Sequence, residues 1–362
     1  MRARVEDFGA WVRLDDRTLV AVDRRRAAAL GLAGPWSGPQ PPDIRGPTAP
    51  LEAHVAITER CPLSCAGCYQ PTRVDGAHAS LDRLRATLDE VRAAGAFMVA
   101  FGGGEPLTHP DLPALAREAR ARDLVPVVTT SGIGLTAERA RALTHFAQVN
   151  VSYDGANSEL RASETVAVAE RAIAALVAAG VTVGVNVVLT RRSVVALEDT
   201  CARAAALGAV EAQLLRYKPE GRARSLDYLE RRLSPAQVAE LPALLRRIVD
   251  RGALSLRVDC ALVPLLSFAD PAALDALAVM GCEAGNALTA RTLEGRVAPC
   301  SFTRELEPAA LTGFAEAPEE PCASCPIQRV CRGGCKVVST HLEGRVGPDP
   351  ECPRVIAHRS PA

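Results

Sequence analysis

The chain of 362 residues has almost no lysine and no net charge. Its 42 basic residues balance its 42 acidic residues, and only Lys218 and Lys336 are lysines, so nearly every basic residue is an arginine. A neutral chain offers no surplus of positive charge to a nucleic acid or to an acidic membrane surface, and we expect neither as a partner. We attribute the shortage of lysine, which accompanies an abundance of alanine, to coding bias.

Long apolar runs are also missing. No uninterrupted stretch is long enough to span a bilayer, and residues 1–7 lack the apolar segment of a signal peptide. The composition, 48% hydrophobic and 23% charged, is typical of a soluble globular protein with one large domain or two. We therefore expect a cytoplasmic protein, in which cysteines bind metals or clusters more often than they form disulfides.

Cysteine is what the sequence has in abundance, with twelve residues. Cys61, Cys65 and Cys68 have the spacing C-x-x-x-C-x-x-C, directly after the strand-like run 55–58. Three thiolates on one loop can bind three irons of a four-iron cluster, which normally takes four cysteine ligands. The fourth iron is then left for an outside molecule, and this predicts catalysis. A zinc site is the alternative, because C-x-x-C pairs bind zinc readily.

A second group of cysteines lies near the C-terminus. Its members are Cys260, Cys282, Cys300, Cys322, Cys325, Cys331, Cys335 and Cys352. Eight thiolates are enough for two further four-iron clusters, with a zinc ribbon as the alternative. From about residue 254 the sequence is rich in glycine and proline and poor in periodicity, so it needs internal cross-links in order to fold. Cys201 stands apart in an alanine-rich stretch, and we expect it to be a small buried apolar residue of a helix.

Strands and helices alternate from residue 55 onward. The predicted strands are 55–58, 97–101, 125–130, 149–152, 181–189 and 211–217. Capping residues and glycine stops bound the helical stretches between them; Ser80 and Gly95 bound the first. The alternation predicts an α/β fold with a parallel sheet, a partial (β/α)6 version of the TIM barrel, whose chemistry collects at the carboxyl ends of the strands.

Polar and glycine-rich segments end these strands and should converge on one rim. They are the cysteine loop, residues 102–106, 129–132 and 152–155, Asn186, and residues 216–219. Residues 1–48 precede the barrel, and the segments 11–14 and 18–22 predict a β-hairpin there, before a Pro/Gly-rich linker. About forty residues is small for an independent domain, so we favour a packing appendage over a substrate-recognition element. We assign 49–253 to a core domain and 254–362 to a cysteine-rich cluster-binding domain.

Three motifs together resemble the radical S-adenosylmethionine (radical SAM) superfamily. They are the three-cysteine loop, the Gly-Gly-Gly-Glu-Pro run at 102–106 and the Ser-Tyr-Asp-Gly turn at 152–155. The tail is similar to the SPASM extension of that superfamily. The matching spacing is Cys282-x12-Gly295-x4-Cys300, followed by Cys322-x2-Cys325-x5-Cys331-x3-Cys335 and then Cys352.

The resemblance implies that a [4Fe–4S] cluster on the first three cysteines binds the amino and carboxylate groups of S-adenosylmethionine. The glycines Gly102, Gly103 and Gly104 let the backbone approach the methionine end. Glu105 accepts a charge-assisted bond from the ammonium group. The reduced cluster donates one electron to the sulfonium, which yields methionine and a 5′-deoxyadenosyl radical that removes hydrogen from the substrate.

Further cofactor contacts are expected on the same grounds. They are Ser131, Ser152, Asp154, Asn186 and Arg216, with an ion-paired role as the alternative for Arg216. The family usually carries an aromatic residue immediately before the third cysteine. This chain has Gly67 there, and we assign the place beside the adenine to Tyr69 on the other side of Cys68. No acid or base for the reaction is identified.

The resemblance also divides the C-terminal cysteines into two auxiliary [4Fe–4S] clusters. One would use Cys260, Cys282, Cys300 and Cys335, and the other Cys322, Cys325, Cys331 and Cys352. Cys260 lies outside the seven-cysteine motif. If it is not a ligand, the first auxiliary cluster has an open iron to which substrate could bind.

The leading hypothesis is an oxygen-sensitive enzyme that oxidatively modifies or cross-links a ribosomally made peptide, because SPASM-type enzymes commonly act on peptides. The auxiliary clusters would accept the electron left after hydrogen abstraction, and a flavodoxin or ferredoxin would be the external reductant. A radical step in the synthesis of a small cofactor or natural product is the first alternative. A noncatalytic iron–sulfur electron carrier is the second, and it would not need the pocket around Glu105.

Overall fold

The computed structural model describes residues 2–36, 47–161, 165–269, 274, 279–303 and 317–360. The N-terminal residues form an antiparallel sheet of their own. Its elements are β1 (Arg2–Glu6), β2 (Gly9–Arg13) and β3 (Leu19–Asp23), followed by the short helix α1 (Arg24–Ala29). Ala10, Val12 and Ala27 are fully buried in its small core. The predicted hairpin is confirmed as the β2–β3 pair, and β1 is a third strand that we did not predict.

Two arginines of β1 attach this small sheet to the rest of the protein. Arg2 donates to the carbonyl oxygen of Ala96 at 2.7 Å, and Arg4 donates to that of Pro50 at 2.9 Å. Both guanidinium groups also face the ring of Phe97, at 4.4 and 5.6 Å from its centroid. These contacts attach the small sheet to the rest of the protein, and its role as a packing appendage stays a prediction.

A nine-stranded sheet forms the centre of the molecule. Its strands are β4 (Glu52–Thr58), β5 (Met98–Gly103), β6 (Val125–Thr130), β7 (Gln148–Ser152), β8 (Val183–Leu189), β9 (Glu211–Arg216), β10 (Ser255–Val258), β11 (Leu288–Arg291) and β12 (Val297–Ala298). Neighbouring strands follow chain order from β4 to β10, and β11 returns to the free edge of β4. Every pair is parallel except β11–β12. The predicted α/β fold with a parallel sheet is confirmed, and the strands form an open sheet, as expected for a partial barrel.

The described helices between these strands are α2 (Leu81–Ala93), α3 (Leu112–Ala121), α4 (Ala137–Ala142), α5 (Thr165–Ala178), α6 (Leu197–Ala206), α7 (Tyr228–Arg231) and α8 (Pro235–Arg251). Short helices follow the last described strand: α9 (Gln328–Cys331), α10 (Lys336–Glu343) and α11 (Pro353–Arg359). The side chain of Ser80 caps α2 by accepting from the backbone N–H of Arg83, as the sequence predicts. Cys201 is buried on α6, which confirms its structural role. Within the described ranges, no helix combines the length and the apolar character that a membrane span requires.

The two faces of the central sheet differ in polarity. Val149, Val151 and Val185 lie fully buried against the helices. Because side chains alternate along a strand, the opposite face of β7 and β8 carries Asn150 and Asn186, which are also buried. The inside of the partial barrel therefore offers polar groups, and an apolar core supports it from outside.

The sheet does not stop at the predicted boundary between core and C-terminal domain. Both β10 and β11 come from beyond residue 253, yet they pair with β9 and β4. The C-terminal segment is thus joined to the barrel by backbone hydrogen bonds at both edges. The division of the chain into domains 1–48, 49–253 and 254–362 stays a prediction.

Candidate active site

The three-cysteine loop connects β4 with α2 at the carboxyl edge of the sheet. Cys61, Cys65 and Cys68 are half-buried on it. The N–H of Cys61 donates to the carbonyl oxygen of Arg73 at 2.8 Å, and the N–H of Arg73 donates to that of Glu59 at 3.0 Å. This cross-bracing closes the loop on itself and fixes the backbone that carries the thiols.

Two glycines at the end of β5, Gly103 and Gly104, touch the start of this loop. The N–H of Gly104 donates to the carbonyl oxygen of Thr58 at 2.6 Å. A Cβ atom at Gly103 would lie 2.3 Å from the same oxygen, and one at Gly104 would lie 2.2 Å from the carbonyl oxygen of Arg60. Both glycines are therefore required by the protein's own loop, a reason that the sequence did not show.

Gly102 differs from these two glycines. A Cβ atom placed there would have no neighbour within 4 Å. Its backbone thus borders open space on the carboxyl edge of the sheet. Of the three predicted contacts with the methionine end of the cofactor, Gly102 has the geometry that leaves room for a ligand.

Glu105 is buried, and its carboxylate accepts four hydrogen bonds from the chain. One oxygen accepts from the N–H of Leu107 at 3.0 Å and the hydroxyl of Thr130 at 2.5 Å. The other accepts from the N–H and the hydroxyl of Ser131 at 2.8 and 2.5 Å. A carboxylate has about four acceptor positions. All four positions are occupied, so an ammonium group of a ligand would have to replace one of the hydroxyl donors. Ser131 is part of the same site because it supplies two of the four hydrogen bonds to Glu105.

Glu105 and the cysteines are electrostatic neighbours. Burial raises the pKa of the Cys61 thiol to about 11, and the carboxylate of Glu105 and the thiols of Cys68 and Cys65 add to the shift. A negative carboxylate beside the Cys61 thiol favours its protonated form unless iron binds it as a thiolate. The donor set of this pocket therefore fits an iron cluster with a cationic ligand beside it.

The inner face of the barrel contributes an unsatisfied acceptor. Ser152 of β7 and Asn186 of β8 are partners in the parallel register. The Nδ2 group of Asn186 donates to the hydroxyl of Thr129 at 3.4 Å, but its Oδ1 atom is buried and has no hydrogen-bond partner among the described residues. Buried polar atoms are almost always paired, so this oxygen fits a hydroxyl or amino group of a bound molecule.

Asp154 is buried, and its carboxylate contacts a second charged residue near the cysteine loop. Its carboxylate accepts from Arg161 at 2.6 Å and from the N–H of Val188 at 2.7 Å. Burial, the largest cause, lowers the pKa of Arg161, but Asp154 and the thiols of Cys65 and Cys68 raise it, and the net shift is upward. Arg161 is thus a charged neighbour of the cysteine loop that sequence analysis missed, because no motif or spacing marks it.

The departure at Gly67 has a packing explanation. Its N–H donates to the carbonyl oxygen of Leu160 at 3.2 Å, and a Cβ atom at Gly67 would lie 2.7 Å from that of Leu160. Leu160 therefore fills the space that a side chain at position 67 would need. Tyr69 stacks on Phe302, with ring centroids 4.1 Å apart, so this side chain faces the C-terminal segment. A contact between Tyr69 and the adenine stays a prediction.

Arg216 has the ion-paired role that was the alternative to cofactor binding. Its guanidinium is buried and contacts Asp349 at 2.6 Å and Glu351 at 2.5 Å. It also donates to the carbonyl oxygen of Ala261 at 2.9 Å. Burial lowers the pKa of Arg216, but Asp349, Tyr228 and Glu351 raise it well above its usual value. Arg216 therefore fixes the C-terminal tail to the end of β9.

The segment after β9 also holds the cysteine loop. Arg222 donates to the carbonyl oxygens of Cys65 and Thr72, each at 3.1 Å, and to the Thr72 hydroxyl. Gly221 lies so close that a Cβ atom would be 2.5 Å from the carbonyl oxygen of Tyr69. Arg222 therefore fixes the cysteine loop through hydrogen bonds to its backbone and to the Thr72 hydroxyl.

The C-terminal thiols fall into two spatial sets. Cys322, Cys325, Cys331 and Cys352 line one small cavity. Burial raises the pKa of Cys282 to about 12, and the adjacent thiols of Cys335 and Cys300 contribute to the shift. Cys260 interacts in the same way with Cys282 and Cys335. These are the two sets of four expected from the sequence; the ligand assignments themselves stay predictions.

The zinc alternative concerns a single ion. In the parts of the chain that the structure describes, no three His, Cys, Asp or Glu side chains converge as ligands of one metal ion. Structural zinc is bound by four side chains around one ion, whereas a four-iron cluster distributes its cysteine ligands over several irons.

Fold and site together define an enzyme of the radical SAM class with a C-terminal SPASM region. The family model of the Radical SAM superfamily matches residues 55–202. Mycofactocin maturase MftC of Mycobacterium ulcerans is 32% identical over 337 residues, which cover 85% of this chain and 89% of the relative. The chain therefore belongs to the radical SAM superfamily, whose enzymes bind S-adenosylmethionine and a [4Fe–4S] cluster.

Another relative and a solved structure also match most of the chain. PqqA peptide cyclase of Methylocella silvestris is 28% identical over 336 residues, covering 84% of this chain and 87% of the relative. The crystal structure of Streptococcus suis SuiB bound to precursor peptide SuiA superposes with a TM-score of 0.71 at 15% identity, covering 97% of this chain and 98% of SuiB. The structural match shows that the whole fold is shared.

Proposed function

We propose that this enzyme oxidatively modifies or cross-links a ribosomally made peptide. Relatives that match more than four fifths of the chain are named a maturase and a peptide cyclase, and the SuiB structure of the same fold contains a precursor peptide. The observation that carries the proposal is the arrangement of the cysteines, with three on the barrel rim and two further sets of four in the C-terminal segment.

We assign the three rim cysteines, Cys61, Cys65 and Cys68, to the catalytic cluster. With the cluster and S-adenosylmethionine bound, the site supplies a 5′-deoxyadenosyl radical that removes hydrogen from the substrate. The chain's own residues bind and orient the cofactor. The Glu105 carboxylate binds its ammonium group, and the buried Oδ1 atom of Asn186 accepts from the nucleoside.

The polar inner face of the sheet and the cysteine loop enclose this pocket. Ser152 lies on that face beside Asn186, and Gly102 leaves its edge open for the methionine end. Arg161 supplies a positive charge close to the thiols. We infer that these groups exclude water from the reacting atoms and hold the cofactor in one orientation.

The C-terminal cysteines hold the two auxiliary clusters in this proposal. The position of Cys260 beside Cys282 and Cys335 supports a complete set of four, which leaves no iron for substrate. Bound there, such clusters would supply an acceptor for the electron that a substrate radical must lose to give an oxidised product. An external one-electron reductant of the flavodoxin or ferredoxin type, in a reducing cytoplasm, would supply the electron that cleavage of S-adenosylmethionine consumes. Residues 49–253 are the catalytic part and 254–362 the cluster-binding part, attached at both sheet edges.

The test is anaerobic incubation of the reconstituted enzyme with S-adenosylmethionine, a reductant and any short peptide that is found to be encoded beside its gene. We expect 5′-deoxyadenosine to form together with a peptide that has lost hydrogen, detected by mass spectrometry. About twelve irons per chain are expected from three four-iron clusters. Formation of 5′-deoxyadenosine with a small molecule and never with a peptide would favour cofactor or natural-product synthesis. No 5′-deoxyadenosine at all would indicate an electron carrier.

A further inference from the structure

Both lysines of this arginine-rich chain are buried among the C-terminal cysteines. Of 42 basic residues only Lys218 and Lys336 are lysines, and they are 7% and 4% exposed. Coding bias explains the abundance of arginine, but it does not explain why the two exceptions occupy such similar places. A lysine ammonium group is a compact point charge, whereas the guanidinium of arginine is broad and planar, so the two are not interchangeable in a tight site.

Lys218 lies between two segments that carry cysteines of one set. Its Nζ atom contacts the Asp259 carboxylate at 2.5 Å and lies 4.4 Å from the centroid of the Phe302 ring. Asp259 precedes Cys260, whose thiol donates to the other carboxylate oxygen at 3.4 Å. Phe302 follows Cys300 by two residues. The ammonium group is therefore held by an ion pair on one segment and a cation–π contact on the other.

The same aromatic ring extends the network to the catalytic loop. Phe302 stacks on Tyr69 with an angle of 25° between the ring planes, and Tyr69 directly follows Cys68. A continuous series of contacts thus runs from the catalytic cysteine loop to the charged pair beside Cys260. A surface residue would not be placed at this junction, and Lys218 is 5% exposed at its side chain.

We propose that Lys218 is a positioning residue that sets the reduction potential of the auxiliary cluster held by Cys260, Cys282, Cys300 and Cys335. The potential of an iron–sulfur cluster depends on the net charge around it and on its exposure to solvent. A buried ammonium group stabilises the added electron, and the Asp259 carboxylate opposes it. Because both charges are shielded from water, their effect is much less screened than that of a surface pair.

The proposal rests on the auxiliary cluster in the proposed function, but not on the identity of the substrate. Lys218 makes the cluster a better acceptor of the single electron that leaves the oxidised substrate. Its ion pair with Asp259 keeps the buried site close to neutral, so removal of either partner should change the potential, and the two removals should act in opposite directions.

The test uses the holoenzyme with all clusters, without peptide, in EPR-monitored redox titrations of Lys218→Met, Asp259→Asn and the double variant. We expect Lys218→Met to lower the reduction equilibrium constant of the auxiliary cluster at least tenfold, about 59 mV for one electron. Asp259→Asn should raise it, and the double variant should return close to the wild-type value. In a separate activity assay with peptide, Lys218→Met should form fewer modified peptides per molecule of 5′-deoxyadenosine.

Two controls separate charge from structural damage. Lys218→Arg keeps the charge in a larger group and should move the potential less than Lys218→Met. Arg224→Met removes an arginine that is 56% exposed at its side chain and should not move it. Equal-sign shifts in Lys218→Met and Asp259→Asn, or unchanged potentials at full iron content, would overturn the proposal. If Lys218→Met fails to bind iron, the Asp259→Asn variant decides: a higher reduction potential would support the proposal, and a lower one would overturn it. About four irons in the wild type would instead refute the auxiliary clusters themselves.

Discussion

The two cysteine regions of this protein differ in what surrounds the thiols. Cys61, Cys65 and Cys68 are half-buried on a loop that hydrogen bonds brace against the sheet. Of the eight C-terminal cysteines, four are half-buried and four are buried, namely Cys322, Cys331, Cys335 and Cys352, and the described residues 317–360 contain short helices joined by turns. In the first region hydrogen bonds position the cysteines, whereas in the second we infer that the cysteines stabilise the fold once they bind iron.

The difference suits two kinds of iron site. A catalytic cluster must leave one iron accessible, so its loop is held by backbone contacts from three other segments rather than by a fourth cysteine. Arg222, Gly104 and Leu160 supply those contacts. An electron-accepting cluster needs no open position, and a closed set of four thiols protects it from solvent.

The largest effect is expected from breaking one cysteine in each region. Cys65→Ala should abolish 5′-deoxyadenosine formation, because two thiolates cannot hold the catalytic cluster, yet it should leave the melting temperature nearly unchanged. Cys331→Ala should lower the melting temperature, because a ligand of a fold-stabilising cluster is lost. The measurements are anaerobic product quantification and differential scanning calorimetry on the same preparations, with iron content determined in parallel.

Cys201→Ala is the matched control, since Cys201 is buried on α6. It should retain all iron and form 5′-deoxyadenosine at the wild-type rate. The comparison would fail if Cys65→Ala continued to cleave S-adenosylmethionine, or if a chelator removed the C-terminal iron without any change in unfolding.

A second, smaller effect tests how the C-terminal region is attached. Asp349→Ala should lower the free energy of unfolding by about 3–5 kcal/mol, because it leaves the buried Arg216 without one of its two carboxylates. Urea denaturation measures the change. Asp250→Ala is the control: it breaks an exposed pair with Arg246 and should cost less than about 1 kcal/mol. Equal effects of the two substitutions would show that the Arg216 cluster does not anchor the tail.

The sequence predicts the parts of this molecule that local patterns encode. Strand and helix alternation located six parallel strands, and the cysteine spacings located both thiol regions. It could not predict contacts between distant segments. Nothing in the sequence indicates that Arg161 lies beside Cys65, or that Phe302 meets Tyr69. The ion-pair partners of Arg216 could not be predicted for a related reason: its position at a strand end suggested a ligand, with ion pairing as the alternative, and the carboxylates that pair with it come from the tail.

The glycine run allows the finest distinction between support for the loop and space for the cofactor. In Gly104→Ala the new methyl group would lie 2.2 Å from the carbonyl oxygen of Arg60, so the loop must shift, and we expect a loss of about 1–3 kcal/mol in unfolding free energy. Gly102→Ala meets no atom within 4 Å and should leave the stability of the cofactor-free protein within about 0.5 kcal/mol of the wild type. Its methyl group would instead occupy the open edge and weaken S-adenosylmethionine binding, which calorimetric titration of the cluster-loaded enzyme measures. Unaltered binding in Gly102→Ala would place the methionine end elsewhere on the rim and would leave Glu105 as the remaining predicted contact there.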